Sequence, residues 1–394
     1  MIPPCAPLLR GTLLAVAAAL VACAVPHTRF DAPVAMGLAQ EPMRHLETAH
    51  VELYYPESYA AVARRIVGRL DSCVVSLRAK ALVPREPDKL LAYLTLANFN
   101  NAYVQPEAPG YPLQMVLPIH TTLDTDNLLG FGTVNEGDVS CHEALHYVQN
   151  EQTHGIWGAL NNIFGGLVTS SQGLERWFTE GLAVWTEGHS VLHTGRPYSP
   201  FWRGVFMSAM ETRNFRPREG DLSIATRDLY GSGAYLTASF FIDYLVEQYG
   251  EASLWTMIEA EGGSAVPDFG VPLRFRDVYG RTLPELVEDY GEWLEKTAPR
   301  RTRPADQKVL SADLGYFARV SVSPFDGALA EVSDGYDTPS RLVLRERNGD
   351  VRFIRRLTEV LPLRHWIDAS AQTISGLRFS HDGRWLYVLS LIHI

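Results

Sequence analysis

The chain has 394 residues, 46% of them hydrophobic and 20% charged, and a formal net charge of -10. That is room for a sizeable core and two domains, in an ordinary globular balance rather than a disordered or fibrous one. The acidic excess argues against nucleic acid as a partner, because neutralising phosphates needs a basic face.

Arg10 precedes an apolar run, Thr12 to Ala22, that is too short to span a bilayer but has the length of a secretory h-region. Residues 1–22 therefore read as a signal peptide. The run ends Leu20-Val21-Ala22-Cys23, which resembles the lipobox of bacterial lipoproteins, where the Cys becomes the lipid-bearing first residue of the mature chain. The alternative is a plain signal peptide with an incidental Cys. The lipobox resemblance implies a chain anchored through Cys23 in a bacterial envelope, on the periplasmic face. Ala24 stands where inner-membrane retention uses Asp, so the outer membrane is the implied destination. Cys73 and Cys141 are the other cysteines left after Cys5 departs with the signal, and nothing in their spacing predicts that they pair.

Residues 23–44, with three prolines and no periodicity, read as a linker. Ala49 to Tyr55 alternates as a strand does. Glu57 to Leu82 carries a helical stripe through Ala63, Ile66, Val67, Leu70, Val74 and Leu77. A strand over Lys89 to Leu96, a short helix near Asn98 to Tyr103 and a proline-bounded edge strand over Leu113 to Ile119 complete a mixed sheet with helices packed on it. Helices then dominate: from an Asp138 N-cap through Val148, Leu174 to Glu187, Phe201 to Thr212, Ala234 to Tyr249, and Leu283 to Leu294.

His142-Glu143-Ala144-Leu145-His146 is an H-E-x-x-H motif on one of these helices. Spacing i, i+4 sets both imidazoles on one face, where they can share a metal ion, with Glu143 beside them as a base for the attacking water. A surface helix with two histidines is the plain alternative. The run Trp177-Phe178-Thr179-Glu180-Gly181-Leu182-Ala183-Val184-Trp185-Thr186-Glu187 resembles the Trp-Leu-x-Glu-Gly-hydrophobic-Ala-x-Tyr-x-Glu helix of gluzincin zinc peptidases, in the broad peptidase MA-like group.

That resemblance covers residues 45–300 and implies an α+β zincin-like metallopeptidase domain holding one Zn²⁺ per chain. His142, His146 and Glu180 would be its ligands and Glu143 its catalytic base. Glu175 and Glu187 are rival carboxylates, and Glu187 is also placed to accept a hydrogen bond from a ligand imidazole N–H. Gly181 would let the two metal-bearing helices approach. Leu229-Tyr230-Gly231-Ser232-Gly233-Ala234 is similar to the segment carrying the oxyanion-binding Tyr of the related aminopeptidases, which makes Tyr230 the candidate and Tyr235 the substitute. The stretch between His146 and Glu180 is longer than in those aminopeptidases, and their Gly-x-Met-Glu-Asn signature is absent. An endopeptidase acting on peptides or proteins is therefore the expectation. The inserted apolar stretch from Gly155 reads either as a lid or cleft wall, or as a short buried helix.

Beyond Pro304 the pattern turns to short β runs. Val320-Ser-Val-Ser-Pro-Phe-Asp-Gly and Leu377-Arg-Phe-Ser-His-Asp-Gly are alike, and their Asp-Gly turns fall at Asp326 and Asp382, a spacing that suits successive propeller blades. They resemble the TolB-type β-propeller, which implies an incomplete, truncated propeller over 305–394 that offers a surface to protein partners. An ordinary small β domain is the alternative. Two other functions stay open: another zinc hydrolase on the same scaffold, and a non-catalytic envelope scaffold with the propeller as its working part.

Overall fold

A computed structural model of the chain describes residues 30–81, 88–97, 102–106, 112–119, 136–164, 175–189, 195–199, 232–264, 274–297, 318–333, 340–360 and 374–390, with a few isolated positions between. The architecture is mixed α+β. Its first part is a five-stranded sheet in the order β1-β2-β3-β5-β4, built from β1 (Met43–Glu47), β2 (Val51–Pro56), β3 (Leu90–Thr95), β4 (Tyr103–Gln105) and β5 (Gln114–Pro118). The β2, β3 and β5 strands run parallel, with Val51 opposite Leu90 and Ala92 opposite Met115, while β1 and β4 flank them antiparallel.

Strand alternation sorts the two faces. Val51, Leu53, Leu90, Ala92, Leu94, Met115 and Leu117 point into the main core. Tyr54 and Tyr93 stack on the opposite face, ring centroids 5.3 Å apart, with Phe30 edge-on to Tyr93 at 4.9 Å. The core face is covered by α2 (Ala60–Arg78), whose stripe of Ala63, Ile66, Val67, Leu70, Cys73, Val74 and Leu77 is buried as helical spacing requires. Behind it lie the helices that carry the site: α3 (Glu136–Glu151), α5 (Arg176–His189) and α6 (Ser232–Tyr249). Two more, α7 (Glu251–Gly262) and α8 (Leu283–Thr297), close the same core. Arg78 and Glu151, both largely buried, tie the end of α2 to the end of α3, with Arg78 Nε 3.0 Å from Glu151 Oε2. No described helix is long and apolar enough to cross a membrane.

Several expectations change. The described part of the expected linker holds α1 (Ala32–Leu38) and the start of β1. Pro33 sits in the first turn of α1, where a helix tolerates it, and so brief a helix is too short to show a stripe. Val34 packs with Ala97 and Val116 on the outer face of the sheet, so the fold begins before residue 45. The Gln114–Pro118 strand is interior rather than an edge. Its prolines fall at or beyond its ends, and the edge is the short β4, which also takes Tyr103 out of the expected short helix. Asp138 stands inside the first turn of α3, not at its N-cap. The stretch from Gly155 forms α4 (Gly155–Phe164), which lies on the surface with Ile156 and Ile163 exposed, so a buried helix is excluded. Of Phe201 to Thr212 only scattered positions are described, and these are helical.

Cys73 and Cys141 form a disulfide, a pairing the sequence leaves open. Packing of α2 on α3 brings their Cα atoms to 5.3 Å, a distance that two cysteines 68 residues apart do not announce in sequence.

After residue 318 the chain is β. One four-stranded antiparallel sheet runs β6 (Ala318–Val322), β7 (Leu329–Ser333), β8 (Arg341–Arg345), β9 (Val351–Arg356), followed by a hairpin of β10 (Ile374–Phe379) and β11 (Leu386–Ser390). No closed barrel or propeller forms among the described residues. The two Asp-Gly turns close alike. Asp326 Oδ1 accepts from the Ala328 N–H and Asp382 Oδ1 from the Arg384 N–H, both at 3.1 Å, with Gly327 and Gly383 at φ 75° and 70°. Val332, Leu342 and Phe353 of the sheet pack against Leu377, Leu386 and Val388 of the hairpin. The hairpin's other face leaves Trp385, Tyr387 and Leu389 67%, 57% and 56% exposed.

Candidate metal centre

Helix α5 is set in place by its aromatic end. Trp177 and Phe178 are buried against Phe241 and Phe275, and Trp185 donates its Nε1–H to Asp243 Oδ1 at 2.7 Å. Gly181 does permit a close helix approach, but to α6 rather than to α3: a Cβ there would stand 2.5 Å from Ala238 Cβ and 3.0 Å from its carbonyl carbon. With α5 fixed between α3 and α6, Glu180 faces the two imidazoles.

The ligand atoms form a compact triangle. His142 Nε2 is 3.2 Å from His146 Nε2, and Glu180 Oε2 is 3.3 and 3.6 Å from the two. A point about 2 Å from all three atoms lies within roughly 1 Å of their plane, which is where a tetrahedral cation with one open position would sit. The three residues could hold a metal ion. Both rings present Nε2 to this point because their Nδ1 atoms are engaged elsewhere. His142 Nδ1 meets Glu187 Oε1 at 2.9 Å, and His146 Nδ1 meets Gln149 Oε1 at 3.2 Å.

The carboxylates divide by surroundings. Glu180 and Glu187 would both be pushed up by burial. The imidazoles instead hold Glu180 far below the usual range, and Arg196 with His142 brings Glu187 to about 2. Burial would lower His142, but its contacts with Glu180 and Glu187 outweigh this and lift it to about 9. A divalent cation would take over the charge balance that a proton on this imidazole otherwise supplies. Glu143 is buried, burial raises its pKa, and its Oε2 has no hydrogen-bond partner among the described residues. An orphaned carboxyl oxygen beside three convergent ligand atoms suits a base that works on a water.

Glu175 turns away, accepting from Trp177 Nε1. Tyr230 lies outside the described residues. Tyr235 is at the centre, its ring centroid 5.3 Å from the Arg196 guanidinium carbon. Two neighbours were missed in the sequence. Gln149, one helical turn after His146, was readable from helical spacing; Arg196, in an irregular segment, was not. No family model matches the chain and no curated protein matches it, so the chemistry of the centre is carried by its own geometry.

Proposed function

We propose that the protein is a zinc-dependent peptidase of the gluzincin type, cleaving internal peptide bonds of peptides or proteins at a bacterial cell envelope. The single observation that carries this reading is the triangle of His142, His146 and Glu180 with Glu143 Oε2, unpartnered among the described residues, beside it. A donor set of two imidazoles and one carboxylate, converging on one point at bonding distance, suits Zn²⁺. When bound, Zn²⁺ supplies a Lewis acid for the scissile carbonyl and lowers the pKa of the attacking water. Glu143 takes a proton from that water and passes it to the leaving nitrogen, a transfer its burial favours by raising its proton affinity. Glu187 and Gln149 orient the imidazoles, and Tyr230 or Tyr235 donates to the developing oxyanion.

The location belongs to the same proposal: a lipid anchor at Cys23, and a TolB-type propeller to which the four-stranded sheet and hairpin would belong. A buried disulfide supports export, since such bonds persist in oxidising compartments. The test is casein hydrolysis with and without chelator, alongside zinc analysis. About one zinc per chain is expected, lost in Glu180→Ala and kept in Glu143→Gln, which should no longer cleave. Full zinc occupancy in Glu180→Ala would refute the ligand assignment.

A further inference from the structure

Glu187 is fully buried, and a carboxylate so placed can turn about its own bonds unless both oxygens are held. Arg196 holds both. Its Nε lies 3.1 Å from Oε1 and 3.1 Å from Oε2, its Nη2 bonds Oε1, and its backbone N–H donates to Oε2 at 3.1 Å. The chain can deliver these donors because Gly195 stands where nothing larger fits. Its φ is 93°, and a Cβ there would come 2.6 Å from Glu187 Cβ. From the other side Tyr235 covers the guanidinium.

We propose that Gly195 and Arg196 form a positioning clamp for the metal centre, fixing Glu187 so that His142 is held with Nε2 free for the ion. The proposal rests on the metal-centre reading above. Its logic is one of donors and acceptors. Arg196 Nη2 lies 3.0 Å from His142 Nδ1, but a guanidinium has no acceptor, so among the described residues an Nδ1–H goes to Glu187 Oε1. With Glu187 gone, the guanidinium would donate to a bare Nδ1, which puts the ring proton on Nε2 and spoils the ligand. With the Arg196 side chain gone, Glu187 loses the guanidinium that reaches both its oxygens, and its aim with it. An ion pair that merely stapled the 195–198 turn to α5 would leave metal affinity alone.

The test uses the full chain and Zn²⁺ alone, with the dissociation constant taken from chelator competition and folding checked by circular dichroism. Arg196→Met should weaken zinc binding on the order of 10–100-fold, as loss of a ligand's outer partner does elsewhere. Arg196→Lys keeps the charge but not the fork, so it should lose on the order of tenfold, and it serves if the Met variant fails to fold. Glu187→Ala should lose more, and Arg196→Met on that background should add no further loss and recover part of it, because the donor to the bare Nδ1 goes with the guanidinium. A zinc affinity for Arg196→Lys within about twofold of the parent, or fully additive losses in the double variant, would overturn the clamp. A parent that binds no zinc would instead bring down the metal-centre reading, and the clamp with it.

Discussion

Reduction of the Cys73–Cys141 bridge should destabilise the first part of the chain by several kcal/mol. The bond closes a loop over a sequence separation of 68 residues. Restricting an unfolded chain over that length corresponds to about 4 kcal/mol on the chain-entropy account. Domains are stable by only about 5–15 kcal/mol, so this is a large share. Both cysteines sit in the main core, which lets the reduced thiols stay buried without adding a cavity. Urea unfolding followed by tryptophan fluorescence, with and without reductant, should show the midpoint falling by roughly 1–2 M. Cys73→Ala with Cys141→Ala should fall at least as far in either condition. Cys141 immediately precedes His142, so zinc retention on dilution should drop in the same samples. Coincident curves for oxidised and reduced protein would refute the assignment of stability to this bond.

Gly181→Ala should lower the thermal midpoint, because the new Cβ forces α5 and α6 apart at Ala238 and overpacking of this kind costs about 1–3 kcal/mol. Relief of helix-interior glycine alone would raise stability by about 1 kcal/mol, so the sign decides, and a gain would show that the contact yields freely. On the alkaline side, Tyr290 is buried, donates to Thr237 O at 3.0 Å, and has its pKa raised well above 10 by burial. Its contribution is complete below the unfolded value near 10 and is lost as pH rises beyond it. Tyr290→Phe should therefore soften the alkaline fall in stability; an unchanged slope would remove Tyr290 from the account.

Much of the fold was legible where a local period repeats. The stripe from Ala63 to Leu77 needs only a 3.6-residue rhythm; β2 alternates over enough residues to be seen, and β3 shows as a short apolar run. The candidate centre was legible for a different reason: i, i+4 spacing on one helix is a local property, and the two turns from Glu180 to Glu187 keep both on one face of α5. What escaped depends on which helix meets which. The disulfide follows from α2 docking on α3, and Gly181 proves to face Ala238 rather than the imidazoles. Arg196 reaches Glu187 only because a glycine with positive φ turns the chain back on itself, and no periodic pattern marks such a segment. Helix α1 was hidden by its brevity and by a proline that looked like a breaker.

The two imidazoles belong to one helix, but the carboxylate arrives on another, well after His146 in the chain, and only once α5 has seated between α3 and α6. During synthesis or refolding the chain thus presents a pair of histidines well before it presents a complete coordination set. An ion captured early would be held by two donors and easily lost, whereas capture after docking enjoys all three. A metal bound there would act on the finished structure: at a hundred times its dissociation constant, it would add about 2.7 kcal/mol to stability by mass action. It would do so chiefly by slowing unfolding, since contacts absent from the folding transition state do not hasten its crossing. A metal ion in the surroundings would then set how long a folded molecule lasts rather than how quickly one forms.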